Sequence, residues 1–268
     1  MPEVNYSQPT ARLLSLGEPP LEGNWLDYAA EFGLTLADVP ELIRLATDEA
    51  LRQGDFEAVE SWGPVHAWRA LAQLHAAQAV MPLLGILEWI DEFDDNAIDD
   101  EMPGVLSMLW PESLPPLVEY LTDTNQKMWA RLAAAEGLVN IGRAHPGSRD
   151  QCVAALSGAL ECFEENDEGF NAFLIHYLAR LKAVEAAPLV ERAFAAKEVD
   201  LSVMGDWEDY QVEAGMLAER ITPPFDEFGL GSSTVLGGRS PKIAKEDKKT
   251  KNKHKQEKKS RKKNRKKK

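Results

Sequence analysis

The sequence predicts an all-α fold of about five helical pairs, followed by a disordered basic tail. Apolar residues recur with helical spacing from residue 24 to about residue 222, and no run alternates with the period of a strand. Hydrophobic residues make up 44% of the chain, which is enough for a buried core. Charge is segregated, because residues 239–268 carry 17 basic and three acidic side chains, whereas residues 1–238 carry 13 basic and 41 acidic ones.

Residues 1–23 are predicted to form a mostly irregular lead-in, since they contain four prolines and little periodic apolar content. The first residues have neither the basic segment nor the apolar run of a secretory signal. The longest apolar stretch, residues 79–87, is far shorter than the roughly 20 residues of a membrane-spanning helix. We therefore expect a cytoplasmic protein that does not insert into a membrane.

Residues 24–222 contain a repeated pattern of a helix, a short break and a second helix that carries an apolar pair. The spacings between successive pairs are 41, 34, 38 and 34 residues. Proline precedes most of the pairs, as suits the first turn of a helix, where its missing N–H is not needed. Two helices every 34–41 residues is the spacing of a helical repeat. The pairs are Leu42-Ile43, Leu83-Leu84, Leu117-Val118, Ala155-Leu156 and Leu189-Val190.

Two segments resemble the short bacterial form of the HEAT repeat: Ala79-Val-Met-Pro-Leu-Leu-Gly-Ile-Leu87 and Arg131-Leu-Ala-Ala-Ala-Glu-Gly-Leu-Val-Asn-Ile-Gly142. Repeats of this kind are also found in phycobilin lyases. The resemblance, which covers about residues 24–220, implies an α-solenoid whose second helices line the concave face. The Leu-Gly ending that is usual for the first helix is replaced here by Leu74-His75, Leu109-Trp110 and Leu181-Lys182.

No motif in the sequence predicts a catalytic site, a metal site or a cofactor. The five histidines form no HExxH motif, and no GxSxG occurs. Cys152 and Cys162 form no CxxC half-site, and we expect both on one helix as small apolar fillers. Eight of the fourteen residues 88–101 are acidic but lack the glycine and closing glutamate of an EF-hand. We interpret this acidic run as a solvated loop between repeats.

The last part of the chain divides into a flexible linker, residues 223–241, and a disordered lysine-rich tail, residues 242–268. The tail has no aromatic residue that could stack on bases, so we expect it to neutralise phosphates with little sequence readout. The residues predicted to contact RNA, ribosome or another polyanion are Lys248, Lys249, Lys251, Lys253, Lys255, Lys258, Lys259, Arg261, Lys262, Lys263, Arg265, Lys266, Lys267 and Lys268.

The second helices predict an acidic binding surface, because the positions that face away from their apolar pairs include eight acidic residues, with Arg44 as the only base. Trp110 is added as an exposed contact, since it stands at a turn where glycine is usual. The residues predicted to bind a partner are Asp48, Glu92, Trp110, Glu119, Asp123, Glu161, Glu164, Glu191 and Glu198.

We therefore expect a non-enzymatic scaffold or adaptor that binds a protein partner, of basic character, on this surface. The tail would contact RNA, ribosome or another polyanion. The resemblance to phycobilin lyases leaves a second function open, that of a lyase-like or chaperone protein acting on a tetrapyrrole-bearing protein.

Overall fold

A computed structural model describes residues 5–20, 25–52, 54 and 58–223, which belong to one compact unit, Met1–Glu227. Every regular element in these ranges is an α-helix or a 3-10 helix, which confirms the all-α class for this part of the chain. The α-helices are α1 (Tyr28–Phe32), α2 (Val39–Ala46), α3 (Glu49–Arg52), α4 (Gly63–Gln73), α5 (Val80–Gly85), α6 (Trp89–Phe93), α7 (Asn96–Met108), α8 (Leu114–Thr122), α9 (Met128–Ala144), α10 (Arg149–Leu160), α11 (Glu168–Arg180), α12 (Ala187–Ala196), α13 (Leu201–Met204) and α14 (Trp207–Ala214).

The helices alternate between two rows. Helices α1, α4, α7, α9, α11 and α14 each contact the next in the first row. In the second row, α2 contacts the 3-10 turn Ala77–Ala79 that leads into α5, α5 contacts α8, and α8 contacts α10. Cross-row contacts join α2 to α4, α8 to α9 and α10 to both α9 and α11. The rows therefore follow chain order, and none of these helices combines the length and apolar character needed to cross a membrane.

The apolar pairs on the second helices point into the space between the rows. Leu42, Leu83, Leu117, Leu156 and Val190 are fully buried, so the sequence register places one member of every pair in the core. The other members differ, since Leu84 and Ala155 are buried while Ile43, Val118 and Leu189 are half-buried. Neighbouring residues on a helix are about 100° apart, so both members are buried only where the adjoining helix covers more of the surface.

In two turns between paired helices, a residue other than glycine adopts the backbone conformation that glycine favours. His75 and Lys182 have φ angles of 50° and 55°, in the left-handed region that favours glycine. Each is followed by a fully buried alanine and a 3-10 turn that leads into the second helix. Two of the three positions at which the sequence departs from the usual Leu-Gly ending, His75 and Lys182, therefore adopt the glycine conformation, whereas Trp110 does not.

The acidic run 88–101 is not a solvated loop, as the sequence had suggested, but contains α6 and the first turns of α7. Asp91 accepts hydrogen bonds from the backbone N–H groups of Trp129 and Ala130, at 3.3 and 3.0 Å, at the start of α9. Asp95 caps α7, and Glu101 forms an ion pair with the buried Arg69. The run is helical because several of its carboxylates pair with helix N-termini and with arginines from earlier helices.

The described part of the lead-in, residues 5–20, is packed against the first helices. It contains one 3-10 helix, Thr10–Ser15, in which Leu13 is fully buried. His66 accepts a hydrogen bond from the Tyr28 hydroxyl and donates one to the Gly17 carbonyl, at 2.7 and 2.9 Å. Residues 5–20 therefore cover the beginning of the helical rows, and the predictions for residues 224–268 lie outside the described ranges.

Candidate functional site

The candidate site is the outer surface of α8 and α10 in the second row, together with that of α12, which follows α11 in the chain. Each of these helices turns its apolar residues inward, as Leu117 and Leu121 show on α8. Glu119 follows Leu117 by two residues, which places it about 200° around the helix. It is accordingly exposed, as are Glu161 after the last residue of α10 and Glu191 on α12. The same helical period that buries the apolar pairs thus exposes these carboxylates.

Four of the predicted binding residues are exposed, and their carboxylates have no hydrogen-bond or ion-pair partner within the described ranges. They are Glu119, Glu161, Glu164 and Glu191. Glu198 is half-buried after the end of α12, and its backbone carbonyl accepts a hydrogen bond of 2.8 Å from the Asn171 side chain. Exposed carboxylates without an internal partner are available to a cation from outside.

Helices α8 and α10 pack against each other, and α10 and α12 are linked by side chains at or near their ends. Helix α8 contacts α10 directly. Arg149, the first residue of α10, forms an ion pair of 2.7 Å with Glu185 in the 3-10 turn before α12. At the other end, the Arg192 guanidinium of α12 lies 5.5 Å from the ring centroid of Phe163, just beyond α10. Glu119, Glu161 and Glu191 are therefore carried by adjacent helices, and we call the exposed side of α8, α10 and α12 the second-row surface.

Four other predicted binding residues are engaged within the chain. Asp48 accepts a hydrogen bond of 2.6 Å from the Tyr6 hydroxyl. Glu92 forms an exposed ion pair of 2.9 Å with Lys127. Asp123 accepts hydrogen bonds from Asn125 and Gln126, which lower the pKa of its carboxyl. These carboxylates contact the lead-in and the loop between α8 and α9.

Trp110 is the fourth of these engaged residues. Its ring is half-buried and stacks on His145, with centroids 3.8 Å apart, and its Nε1–H donates to the Ser148 hydroxyl at 3.1 Å. Trp110, which was expected to be an exposed contact, is thus joined to the turn between α9 and α10. Only part of its ring remains accessible.

Basic side chains on the outer side of the second row are more numerous than the sequence register suggested. Arg44, the one base predicted there, is neutralised by an ion pair of 2.8 Å with Glu41. Arg192 is also exposed, on α12 next to Glu191, and the register of fixed positions missed it. Simple inspection of the residues beside each acidic position would have found it.

A groove of about 520 Å³ lies between the loop before α9 and the loop before α11. Arg131 lines it, with its Nε–H donating to the Leu121 carbonyl at 2.9 Å and its guanidinium 4.3 Å from the Phe170 ring centroid. Burial lowers the pKa of Arg131. Arg131 thus satisfies a backbone carbonyl in the last turn of α8, so its position has a structural reason. The groove is lined by both polar and apolar side chains.

Only one of the two cysteines has the expected role of a small apolar filler on a helix. Cys152 is buried on α10, and burial raises the pKa of its thiol to about 11. Cys162 lies beyond the end of α10 and is exposed in the groove beside Arg131. The prediction fails for Cys162 because α10 ends at Leu160, so the chain turns before this residue can face the core.

The exposed side chains described on the second-row surface include carboxylates and an arginine, which can form ion pairs and hydrogen bonds. In the part of the chain that the structure describes, no three His, Cys, Asp or Glu side chains cluster so that they could hold a metal ion. The histidines with clear partners serve packing, since His66 bonds to Tyr28 and Gly17 while His145 stacks on Trp110.

The chain matches no protein-family model, no curated protein sequence and no solved structure.

Proposed function

We propose that this protein is a non-enzymatic scaffold, a HEAT-like solenoid that binds a basic segment of a partner protein on its second-row surface. The observation that supports this proposal is the placement of Glu119, Glu161 and Glu191 on adjacent helices, exposed and without an internal partner. Solenoids present extended surfaces of this kind because each repeat contacts only its neighbours.

Electrostatics favour a basic protein over a nucleic acid on this surface. Residues 1–238 carry 41 acidic and 13 basic side chains, and the exposed glutamates add a local negative field. Such a field speeds the encounter with a basic partner and repels phosphates. The interaction weakens with salt, because exposed charges are screened over about 10 Å at 0.1 M.

The basic tail has a separate role in this proposal, which is contact with RNA, ribosome or another polyanion. Its support is the density of lysine and arginine in residues 242–268, which lie outside the described ranges. Binding of this type releases counterions and therefore falls steeply as salt rises. The chain would thus join a basic protein to a polyanion through two separate segments.

A charge-reversal experiment tests the surface. The full chain carrying Glu119→Lys, Glu161→Lys and Glu191→Lys should bind a fluorescein-labelled oligolysine peptide at least about tenfold more weakly than the wild type in 50 mM salt. The matched control is Glu18→Lys, Glu60→Lys and Glu219→Lys, which changes the net charge equally at exposed positions elsewhere. Equal losses in both triple variants would show that net charge alone decides binding.

A truncation tests the tail. We expect the full chain to bind poly(U) RNA, with an affinity that falls steeply between 50 and 200 mM salt. The 1–238 chain should not bind, and neither should a full chain neutralised at Lys258, Lys259, Arg261, Lys262, Lys263 and Arg265. Binding by the 1–238 chain would assign RNA contact to the helical part and contradict the proposal.

A further inference from the structure

The lead-in already occupies the outer surface of α2, the first helix of the second row. The Arg44 guanidinium donates a hydrogen bond of 2.8 Å to the Asn5 carbonyl and lies 3.8 Å from the ring centroid of Tyr6. The Ser7 N–H donates to Glu41 at 3.0 Å, and the Tyr6 hydroxyl donates to Asp48 at 2.6 Å. An irregular segment is thus held through its backbone and one buried aromatic side chain.

The residues that hold the lead-in recur in the register of the later second helices. Arg44 lies two residues after Leu42, the first member of its apolar pair, and Glu119 and Glu191 lie two residues after the first members of theirs. Asp48 lies six residues after Leu42, and Glu161 lies six residues after Ala155. The Arg44 position is therefore an exposed, unpartnered glutamate on α8 and α12, and the Asp48 position is one directly after α10.

The change of residue type along the row indicates what the later positions bind. On α2 the position two residues after the first member of the apolar pair is Arg44, which donates to a backbone carbonyl and covers an aromatic ring. On α8 and α12 the same position is a glutamate, which accepts hydrogen bonds and pairs with cations. The later helices thus offer acceptors to a segment that lies where residues 5–7 lie on α2.

We infer that the second-row surface binds an extended basic segment of the partner protein, laid across α8, α10 and α12 as residues 5–7 lie across α2. This inference rests on the proposed function and adds a spacing to it. Packed helices are about 8–10 Å apart, and three residues of an extended polyproline II segment advance about 9 Å and bring the side chain back to the same face. One basic side chain for each helix therefore requires a lysine or arginine at about every third residue.

Two labelled peptides of identical composition test the spacing. Both contain three lysines in a Gly/Ser background, placed at every third residue in one peptide and adjacent to one another in the other. In fluorescence anisotropy at 100 mM salt, the full chain should bind the spaced peptide about fivefold more tightly, a modest factor because exposed ion pairs are weak. The Glu119→Gln, Glu161→Gln and Glu191→Gln triple variant should remove this preference.

Two glycines provide a matched steric test. Gly158 on α10 and Gly104 on α7 both have open space where a Cβ would stand, but only Gly158 belongs to the second row. Gly158→Phe should weaken binding of the spaced peptide about fivefold by obstructing its path, whereas Gly104→Phe should leave the affinity unchanged. Circular dichroism of both variants checks that the fold is retained.

The outcomes separate the inference from the function on which it rests. Equal affinity for the two peptides, or an equal effect of the two phenylalanines, would overturn the extended mode while the charge-reversal result still supports an acidic binding surface. Failure of both peptides and of oligolysine to bind would overturn the proposed function together with the inference.

Discussion

Arg52 and Asp95 form a buried, two-point ion pair across 43 residues of the chain. The Arg52 Nε and Nη2 atoms lie 3.0 and 2.5 Å from the two carboxylate oxygens of Asp95, and the side chains are 5% and 3% exposed. The same carboxylate accepts from the backbone N–H groups of Ala97 and Ile98 at the start of α7. The Asp95 side chain thus fixes α3 to the beginning of α7.

Removal of this carboxylate should be strongly destabilising. We expect Asp95→Ala to lower the free energy of unfolding by about 3–5 kcal/mol, because it leaves the Arg52 charge buried and unpaired and removes the cap of α7. Urea unfolding followed by circular dichroism measures the loss. Glu92→Gln is the matched control, since its ion pair with Lys127 is exposed and should contribute less than about 1 kcal/mol. Equal losses in the two variants would contradict the structural role of Asp95.

The buried His66 should make the stability depend on pH. Burial lowers the pKa of His66, and Arg69 lowers it further, although the hydrogen bond to Gly17 and the charge of Glu101 act in the opposite direction. The folded chain therefore keeps His66 neutral, while the unfolded chain takes up a proton near pH 6.5. Unfolding then binds a proton, so the free energy of unfolding falls as the pH decreases below about 6.5.

A comparison of wild type with His66→Gln isolates this contribution from other titrating groups. The variant should lose stability at pH 7.5 through its broken hydrogen bonds, but the difference between the two chains should become smaller at pH 5.5. Urea unfolding at both pH values measures the change. A constant difference would show that folding does not change the pKa of His66, and a difference that is larger at low pH would show that folding raises it.

Two helical glycines should respond to alanine in opposite directions. A Cβ at Gly142 on α9 would lie 2.9 Å from a Leu181 methyl and 3.4 Å from the Cβ of Cys152, so Gly142→Ala should cost about 1–3 kcal/mol through overpacking. Gly158→Ala places its methyl in open space and should stabilise α10 by about 0.5–1 kcal/mol. Thermal unfolding of both variants measures the effects. A stabilised Gly142→Ala would mean that α9 packs less closely against Leu181 and Cys152 than described.

Leucines of the apolar pairs should differ in their contribution to stability. Leu84 is 3% exposed, so Leu84→Ala should cost about 2–5 kcal/mol, as truncation of buried leucines does. Leu189 is only half-buried, while its neighbour Val190 is fully buried, so Leu189→Ala should cost less than Leu84→Ala. Chemical unfolding of the two variants gives the ranking, and the reverse order would place α12 in a different rotation.

Lys197 offers a stabilising substitution at the end of α12. Its φ of 65° lies in the left-handed region, and its exposed side chain has no partner among the residues described. Lys197→Gly should therefore stabilise the chain by about 0.5–1 kcal/mol, because glycine adopts this conformation without a steric penalty. Lys197→Ala is the control and should give no gain in differential scanning calorimetry. A loss of stability in the glycine variant would show that the lysine side chain contributes more than its backbone conformation costs.

Local periodicity determined the helices and much of the core in advance. The spacing of the apolar pairs located the second helices, and Leu42, Leu83 and Leu117 are fully buried as that spacing predicts. Exposure of Glu119 and Glu191 follows from the same period. These features could be predicted because a residue's direction on a helix depends only on its neighbours within about two turns.

Contacts between distant segments were decided only by the tertiary structure. Asp95 and Glu101 belong to an acidic run that reads as a solvated loop, yet they pair with Arg52 and Arg69, which precede them by 43 and 32 residues. The docking of Tyr6 on Asp48 spans 42 residues, and the only sequence signal for it was a single aromatic residue in a proline-rich lead-in.

The physical reason for this division is the range of each interaction. Helical periodicity is set within a few residues, so the sequence alone determined which faces of α2, α8 and α12 are apolar. An ion pair or a docked segment depends on which helices become neighbours, and neither composition nor period encodes that choice. The tertiary structure therefore decided that Asp48, Glu92 and Asp123 are engaged within the chain, whereas Glu119, Glu161 and Glu191 remain exposed on adjacent helices.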